Sequence, residues 1–420
     1  MHPGAGFTVK RIAIAASISF GLVPATAFAW DWSLRTSESQ TVELNSNQFL
    51  RSSPAGSLGS YSTITGTAEA LTPTSKLILN GDGSYRKYFG PGAEGIATES
   101  LSYGARANYQ QFGKNNYDRE FVEAVWRQQS TSLALLNDLG VVSPASGFIN
   151  RFTAAGGLDR ALNARDSISL FATSTRTYYE PSSGGTAFTD TLGRGSWRHG
   201  VSSTAGVSLS SEAELLAYDN AFSTKVSIFR NQVGIDTALS PLLSFRGNIG
   251  AAYLVTDRGV STSAIGGVSS TAPIGSTSLD WIADAILTYK FMKTATLSVI
   301  ASQSVGPSIV GSLIKRDTVT ASVNYLVNSR ESLTISASGN RQIAGATTDF
   351  ASISATYGYN PIRDVSLQFT YRYQHRFAST GTTIFDPLTG TPTVSGTGPA
   401  DSHSVLFVAT HSFLVLPHGN

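Results

Sequence analysis

A transmembrane, up-and-down β-barrel of about 18 antiparallel strands is the fold class that three features of this all-β sequence predict. Apolar and polar residues trade places at every second position along most of the chain. Short turns alternate with longer loops rich in Gly, Ser, Thr and Pro. Tyr and Phe gather near the ends of the alternating segments, where such barrels carry aromatic girdles.

The alternation is clearest in VSLQFTYRYQHRF, where Val365, Leu367, Phe369, Tyr371 and Tyr373 are interleaved with Ser366, Gln368, Thr370, Arg372 and Gln374. It recurs in Leu101 to Gln110, Thr318 to Tyr325, Ser332 to Ser338 and Ser402 to Phe413. A period of two residues means strand. Segments of about 12 residues exceed the usual strand of about 5 to 6. An apolar face of that length needs a second protein layer or hydrocarbon to cover it. In hydrocarbon every backbone N–H and C=O must be paired, so the sheet has to close on itself.

The connections set the strand number. Short turns are expected at Pro73–Ser75, Phe112–Asn115, Asn163–Arg165, Ser210–Glu212, Leu239–Pro241, Met292–Thr294, Asn328–Arg330 and Asn360–Arg363. Opposite them lie Ser46–Gly59, Gly90–Gly95, Thr131–Ile149, Pro181–Ser196, a tight link at Ala221–Ser223, Asp257–Ser276, Val305–Gly311, Ala344–Thr347 and Ser379–Ala400. Ile228 and Phe229 break the alternation and suggest a bulge or a misplaced strand edge. Leu133, Leu136 and Gly140 have helical spacing inside the longest early loop.

Residues 1–29 read as a cleaved export signal: Lys10 and Arg11, an apolar run from Ile12 to Val23, Pro24, then Ala27-Phe28-Ala29. The run is about 12 residues, whereas a spanning helix needs about 20. The barrel is assigned to 30–413 and a C-terminal tail to 414–420, which leaves no segment for a plug or a passenger. The chain of 420 residues has no cysteine, which excludes disulfides and thiolate metal sites. Its 30 basic and 28 acidic residues become balanced once Lys10 and Arg11 are removed, so no net field recruits nucleic acid.

On this register the inner face is mostly hydroxyl and amide, with charges of both signs. The expected pore-lining residues are Arg106, Arg119, Glu123, Arg127, Asp236, Arg246, Asp280, Asp284, Lys290, Arg316, Arg372 and Arg376. A barrel of this strand number keeps an aqueous interior. Each of these charges is either a selectivity determinant or a member of an ion-pair network that stiffens the wall. Arg372→Glu is expected to change ion selectivity without harming folding. Asp280 and Asp284 lie about 13 Å apart on a strand, too far to share a proton, and Lys290 further along the same strand reads as a partner in a wall network. His375 and His403 fall on the outer face near the long-loop rim, and no Ser, His and carboxylate converge. No enzymatic activity, cofactor or metal is expected.

From Trp30-Asp31-Trp32 to the final strand SVLFVATHSF, the chain resembles a family of single-domain β-barrel porins of proteobacterial outer membranes. Several members of that family are associated with exopolysaccharide export. The resemblance implies outer-membrane lipid and lipopolysaccharide as surroundings, small hydrophilic solutes or a polysaccharide as cargo, and a periplasmic export partner. In the family the last strand ends in an aromatic, here Phe413, whereas LVLPHGN follows it in this chain. The competing reading is a non-conducting barrel whose loops, Ser379–Ala400 above all, bind a partner. The oligomeric state is left open.

Overall fold

A computed structural model describes residues 30–48, 50, 53–93, 99–113, 118–131, 134, 147–180, 186–219, 223–257, 276–307, 313–344, 346–377, 383–385, 392–394 and 398–416. The export signal, the helically spaced segment after Leu133 and most of Ser379–Ala400 lie outside them.

One 18-stranded sheet accounts for nearly all of it. Its strands are β1 (Asp31–Asn45), β2 (Ser57–Leu71), β3 (Ser75–Phe89), β4 (Glu99–Phe112), β5 (Arg119–Ser130), β6 (Phe148–Ala161), β7 (Asp166–Tyr179), β8 (Phe188–Gly200) and β9 (Ala205–Tyr218). They continue as β10 (Lys225–Ser240), β11 (Leu243–Asp257), β12 (Ser276–Met292), β13 (Ala295–Pro307), β14 (Leu313–Leu326), β15 (Glu331–Ala344), β16 (Ala346–Ile362), β17 (Val365–Arg376) and β20 (Ala400–Leu416). Two further strands, β18 (Thr383–Phe385) and β19 (Pro392–Val394), pair with each other in the last long connection. Each barrel strand pairs antiparallel with its sequence neighbours, and β1 pairs with β20, which closes the cylinder. The expected strand number and topology are those observed.

Side-chain chemistry fixes the short turns. Asn163 accepts hydrogen bonds from the backbone N–H groups of Arg165 and Asp166, at 2.8 and 2.9 Å, and Asn328 does the same for Arg330 and Glu331. Ser240 and Thr72 play this part with hydroxyls, for Leu242 and Leu243 and for Thr74 and Ser75. These side chains replace the ladder partners that the strands lose as they reverse. At the opposite end Gly90 takes φ +94°, and a Cβ there would stand 3.1 Å from the Gly56 carbonyl oxygen, so both the backbone angle and the space call for glycine.

Four sequence-based boundaries move. The expected turn at Ser210–Glu212 lies inside β9, and the reversal comes earlier, at residues 201–204 between β8 and β9. The expected loop Pro181–Ser196 is mostly β8, whose outward Gly193 and Gly195 weaken its apolar alternation. β10 carries no bulge at Ile228 and Phe229; it pairs in register with Leu254 and Tyr253, and its irregularity lies between Ala238 and Ser240. β20 runs past Phe413 to Leu416, so strand replaces the first three residues of the expected tail.

The two faces differ as the alternation requires. Val122, Leu209, Val233, Ile249, Phe369 and Phe407 are exposed on one face. The other carries the ion pairs, and Arg230 identifies it as the concave side. From β10 its guanidinium reaches the Val305 carbonyl of β13 at 2.6 Å, past β11 and β12, about 14 Å of wall. Only inside the cylinder can strands so far apart along the wall meet.

Candidate functional site: a lined and narrowed interior

Most expected lumen charges lie on the inner register, and most have partners there. Arg106 Nε and Asn108 Nδ2 both donate to Glu123 at 2.9 Å. Arg127 reaches Asp82 at 3.1 Å, and Arg119 reaches Asp159 at 2.8 Å. Asp236 is held by Arg198 at 2.7 Å, with Arg246 directly across the next strand. Asp284 accepts from Asn248 at 2.8 Å. Arg316 stands in register with Ser304 and Gln342, and Arg376, buried, donates to the Gly398 carbonyl at 3.2 Å.

Asp280 and Lys290 share β12 but lie at opposite ends of it. Lys290 sits near the short-turn end, and the partner of Asp280 is Lys315 at 3.1 Å. β14 brings Lys315 from an unexpected direction.

That direction reveals the main feature of the interior. β12 and β13 pair only as far as Ala283 and Gln303, whereas β13 and β14 stay paired to Pro307 and Leu313. The end of the β13–β14 hairpin therefore leaves the wall and lies against the inner face of β9–β12. Val305 packs with Phe188, Leu216, Val226, Ile228, Ala252, Leu254 and Ile282, and Leu313 borders the cluster. Burying each large aliphatic side chain stabilises by about 1.5–3 kcal/mol, so the cluster holds the hairpin firmly. Beside it Arg230 is paired with Glu212 and with Glu214 at 2.5 Å. The Glu214 side chain is 4% exposed and that of Arg230 13%, so this triad is shielded from water.

A second buried group lies between β1, β2, β17 and β20. Glu43, whose side chain is 4% exposed, accepts from Arg372 at 3.0 Å, from Tyr61 Oη at 2.5 Å and from Asn45 at 3.1 Å. Arg372 also donates to Ser404 at 3.2 Å. Between these charged regions in the strand order runs a stretch of wall lined by hydroxyls. Ser336 meets Ser354 at 2.8 Å, Ser338 meets Ser352 at 2.7 Å, Thr356 meets Thr370 at 2.9 Å, and Thr334 donates to Asn324 at 2.8 Å. These hydroxyls satisfy one another and can exchange partners with water or a passing solute.

Near the end of β7, Arg176 clamps Asp219, which lies in the link after β9, and holds its carboxyl below the usual carboxylate range, chiefly through hydrogen bonds. This tie is present above the ordinary carboxylate pKa and is lost as pH falls through the depressed one. On the outer face near the rim, His403 Nδ1 is 2.9 Å from Tyr371 Oη and His375 Nδ1 is 2.7 Å from Asp401. Among the described residues no group of three or more His, Asp or Glu is placed to hold a metal ion.

Sequence reasoning missed Glu43, Glu212, Glu214 and Arg230. Glu212 was hidden by the misplaced turn. The apolar inner residue Ile228 reads as an irregularity in sequence because a wet lumen gives no reason for it.

No protein-family model matches the chain, and no curated protein matches it by sequence. Among solved structures it is similar to the FrpB iron transporter from Neisseria meningitidis, at 7% identity over 91% of this chain and 81% of that one, with a TM-score of 0.48. It is also similar to the ferric-catecholate import receptor Fiu from E. coli K12 in its open form, at 11% identity over 90% and 81%, with a TM-score of 0.45. OccAB1 from Acinetobacter baumannii gives 10% identity over 92% and 97%, again with a TM-score of 0.45. The barrel described above stands on its own strand pairing and takes nothing from these likenesses.

Proposed function

We propose that this chain is an outer-membrane channel for hydrophilic solutes, narrowed by the inward β13–β14 hairpin. One observation carries the reading: the closed cylinder has an apolar exterior and an interior of hydroxyls, amides and paired charges. Eighteen strands enclose more space than side chains can fill. The exterior suits outer-membrane lipid and lipopolysaccharide. Passage is passive and is set by the hairpin and by hydrogen bonding along the hydroxyl pairs of β14–β17. A role in polysaccharide export, with a periplasmic partner, rests on the resemblance of the first and last strands alone.

Purified protein in a planar bilayer should give discrete conductance steps, and liposomes containing it should swell in small neutral sugars. A folded barrel that does neither sinks the channel. The packed hairpin favours one competing reading, a non-conducting surface barrel. That reading gains if conductance is absent both in the native protein and after the hairpin is loosened.

Membrane residence has its own test. Val233, on the outer face of β10, is 57% exposed. Val233→Lys should cost about 2–4 kcal/mol at mid-bilayer depth, read as a lower urea midpoint for folding into lipid vesicles. An unchanged midpoint would mean that this face does not meet hydrocarbon.

A further inference from the structure

The outer face has one anomaly. Midway along the 15-residue β1, Glu38 is exposed on the same face as Val42 and Leu44. Its cross-strand neighbours, Ile64 on β2 and His411 on β20, point the same way. Every other Asp, Glu, Lys or Arg that the register assigns to this face lies within about five residues of a strand end, where side chains can reach the interface. Glu38 has no such reach, and among the described residues its carboxylate makes no ion pair or hydrogen bond.

The surroundings are equally unlike a lipid surface. Gln40 donates to Ser60 at 3.1 Å and accepts from Ser62 at 2.5 Å. Gln40 keeps a second amide hydrogen, and Ser60 keeps its hydroxyl proton. Next to them Gly66, Gly81 and Gly83 leave the wall bare, and a Cβ at Gly81 would meet nothing within 4 Å. Ile64 stands out beside this hollow, 59% exposed.

We infer that the β1–β3 face is covered by a second copy of this chain, related by a two-fold axis along the membrane normal. The inference rests on the outer-membrane reading above. A two-fold contact is self-complementary, so a patch must carry both halves of each interaction. This one does. Glu38 is an acceptor without a donor, and free donor hydrogens stand on Gln40, two residues along the same strand, and on Ser60 of the next strand. Ile64 is a knob beside a glycine hollow that fits a knob. A second copy inserted in the same orientation also brings its patch to the same depth, which an unrelated partner need not do.

Because the chain has no cysteine, Ser62→Cys gives a single site for a short bismaleimide in intact outer membranes. The expected product has twice the chain mass, while Val233→Cys, on the β10 face, gives none. Adding Glu38→Lys to Ser62→Cys should lower the cross-linked fraction about tenfold, as expected for losing a charge-assisted hydrogen bond. Retention of the heat-dependent gel shift shows that each variant is still a folded barrel. A folded, membrane-embedded Ser62→Cys protein that stays single, or that joins a protein of another mass, overturns the pairing alone. A chain absent from the outer-membrane fraction overturns the reading beneath it as well.

Discussion

Arg230→Met should free the end of the β13–β14 hairpin and raise single-channel conductance. The guanidinium has three jobs: it neutralises Glu212 and Glu214, and it holds the Val305 carbonyl at 2.6 Å. Removing it leaves two carboxylates facing each other where water scarcely enters. Losing one partner of a buried ion pair costs about 3–5 kcal/mol, because the remaining charge is uncompensated. The structure can relieve that cost by letting water in, which means lifting the hairpin off β9–β12. The urea midpoint should fall while conductance and open-state noise rise. A triple change, Arg230→Met with Glu212→Gln and Glu214→Gln, should recover most of the stability, since replacing a whole buried triad is often neutral. Conductance that stays at the native level in both variants would remove the hairpin from the account of the bore.

Arg372→Glu is expected to impair assembly, and here the structure reverses the sequence-based expectation. A water-facing arginine could change sign at little cost. Arg372 instead points at Glu43, which lies buried with Tyr61 and Asn45 around it. A second carboxylate there would oppose Glu43 at close range with little solvent to screen it. The loss should approach the lower end of the roughly 3–5 kcal/mol range for a broken buried pair, because the guanidinium itself is partly exposed. Refolding yield into lipid vesicles measures it. Arg372→Gln should be milder, since an amide can still donate to Glu43, and Arg372→Glu combined with Glu43→Arg should recover part of the yield. Equal yields for Arg372→Glu and the native chain would place Glu43 in water.

Alternation with well-chosen turn residues made most of the cylinder legible from sequence. β17 and β15 show it fully, and Asn163, Asn328 and Ser240 mark their turns with side chains that cap the reversing backbone. β8 failed for a physical reason: Thr189, Thr191, Gly193 and Gly195 occupy its outward positions, so its apolar signal is almost absent until Trp197. The turn after β8 is built from Ser202, Ser203 and Thr204 without glycine or asparagine, and a reader passes over it.

The narrowed interior was not legible at all. Ile228, Leu254 and Ile282 are separated by tens of residues, and each alone looks like an error of register. Only contact with Val305, arriving from β13, turns them into a cluster. The partner of each inner charge is set by the neighbouring strand, which one strand's own sequence does not place. Asp280 thus finds its cation, Lys315, on β14.

The joining of β1 to β20 has a kinetic consequence. Residues Val42 and Phe407 sit side by side, although nearly the entire polypeptide separates them along the backbone. Until the final strand arrives, the free edge of β1 offers an unbroken row of amide and carbonyl groups to any passing β-segment. Ring completion must also wait for the slowest, least local encounter in the molecule. Biogenesis should thus be all-or-none, with an unfinished crescent that a cellular escort has to shield before it can seal.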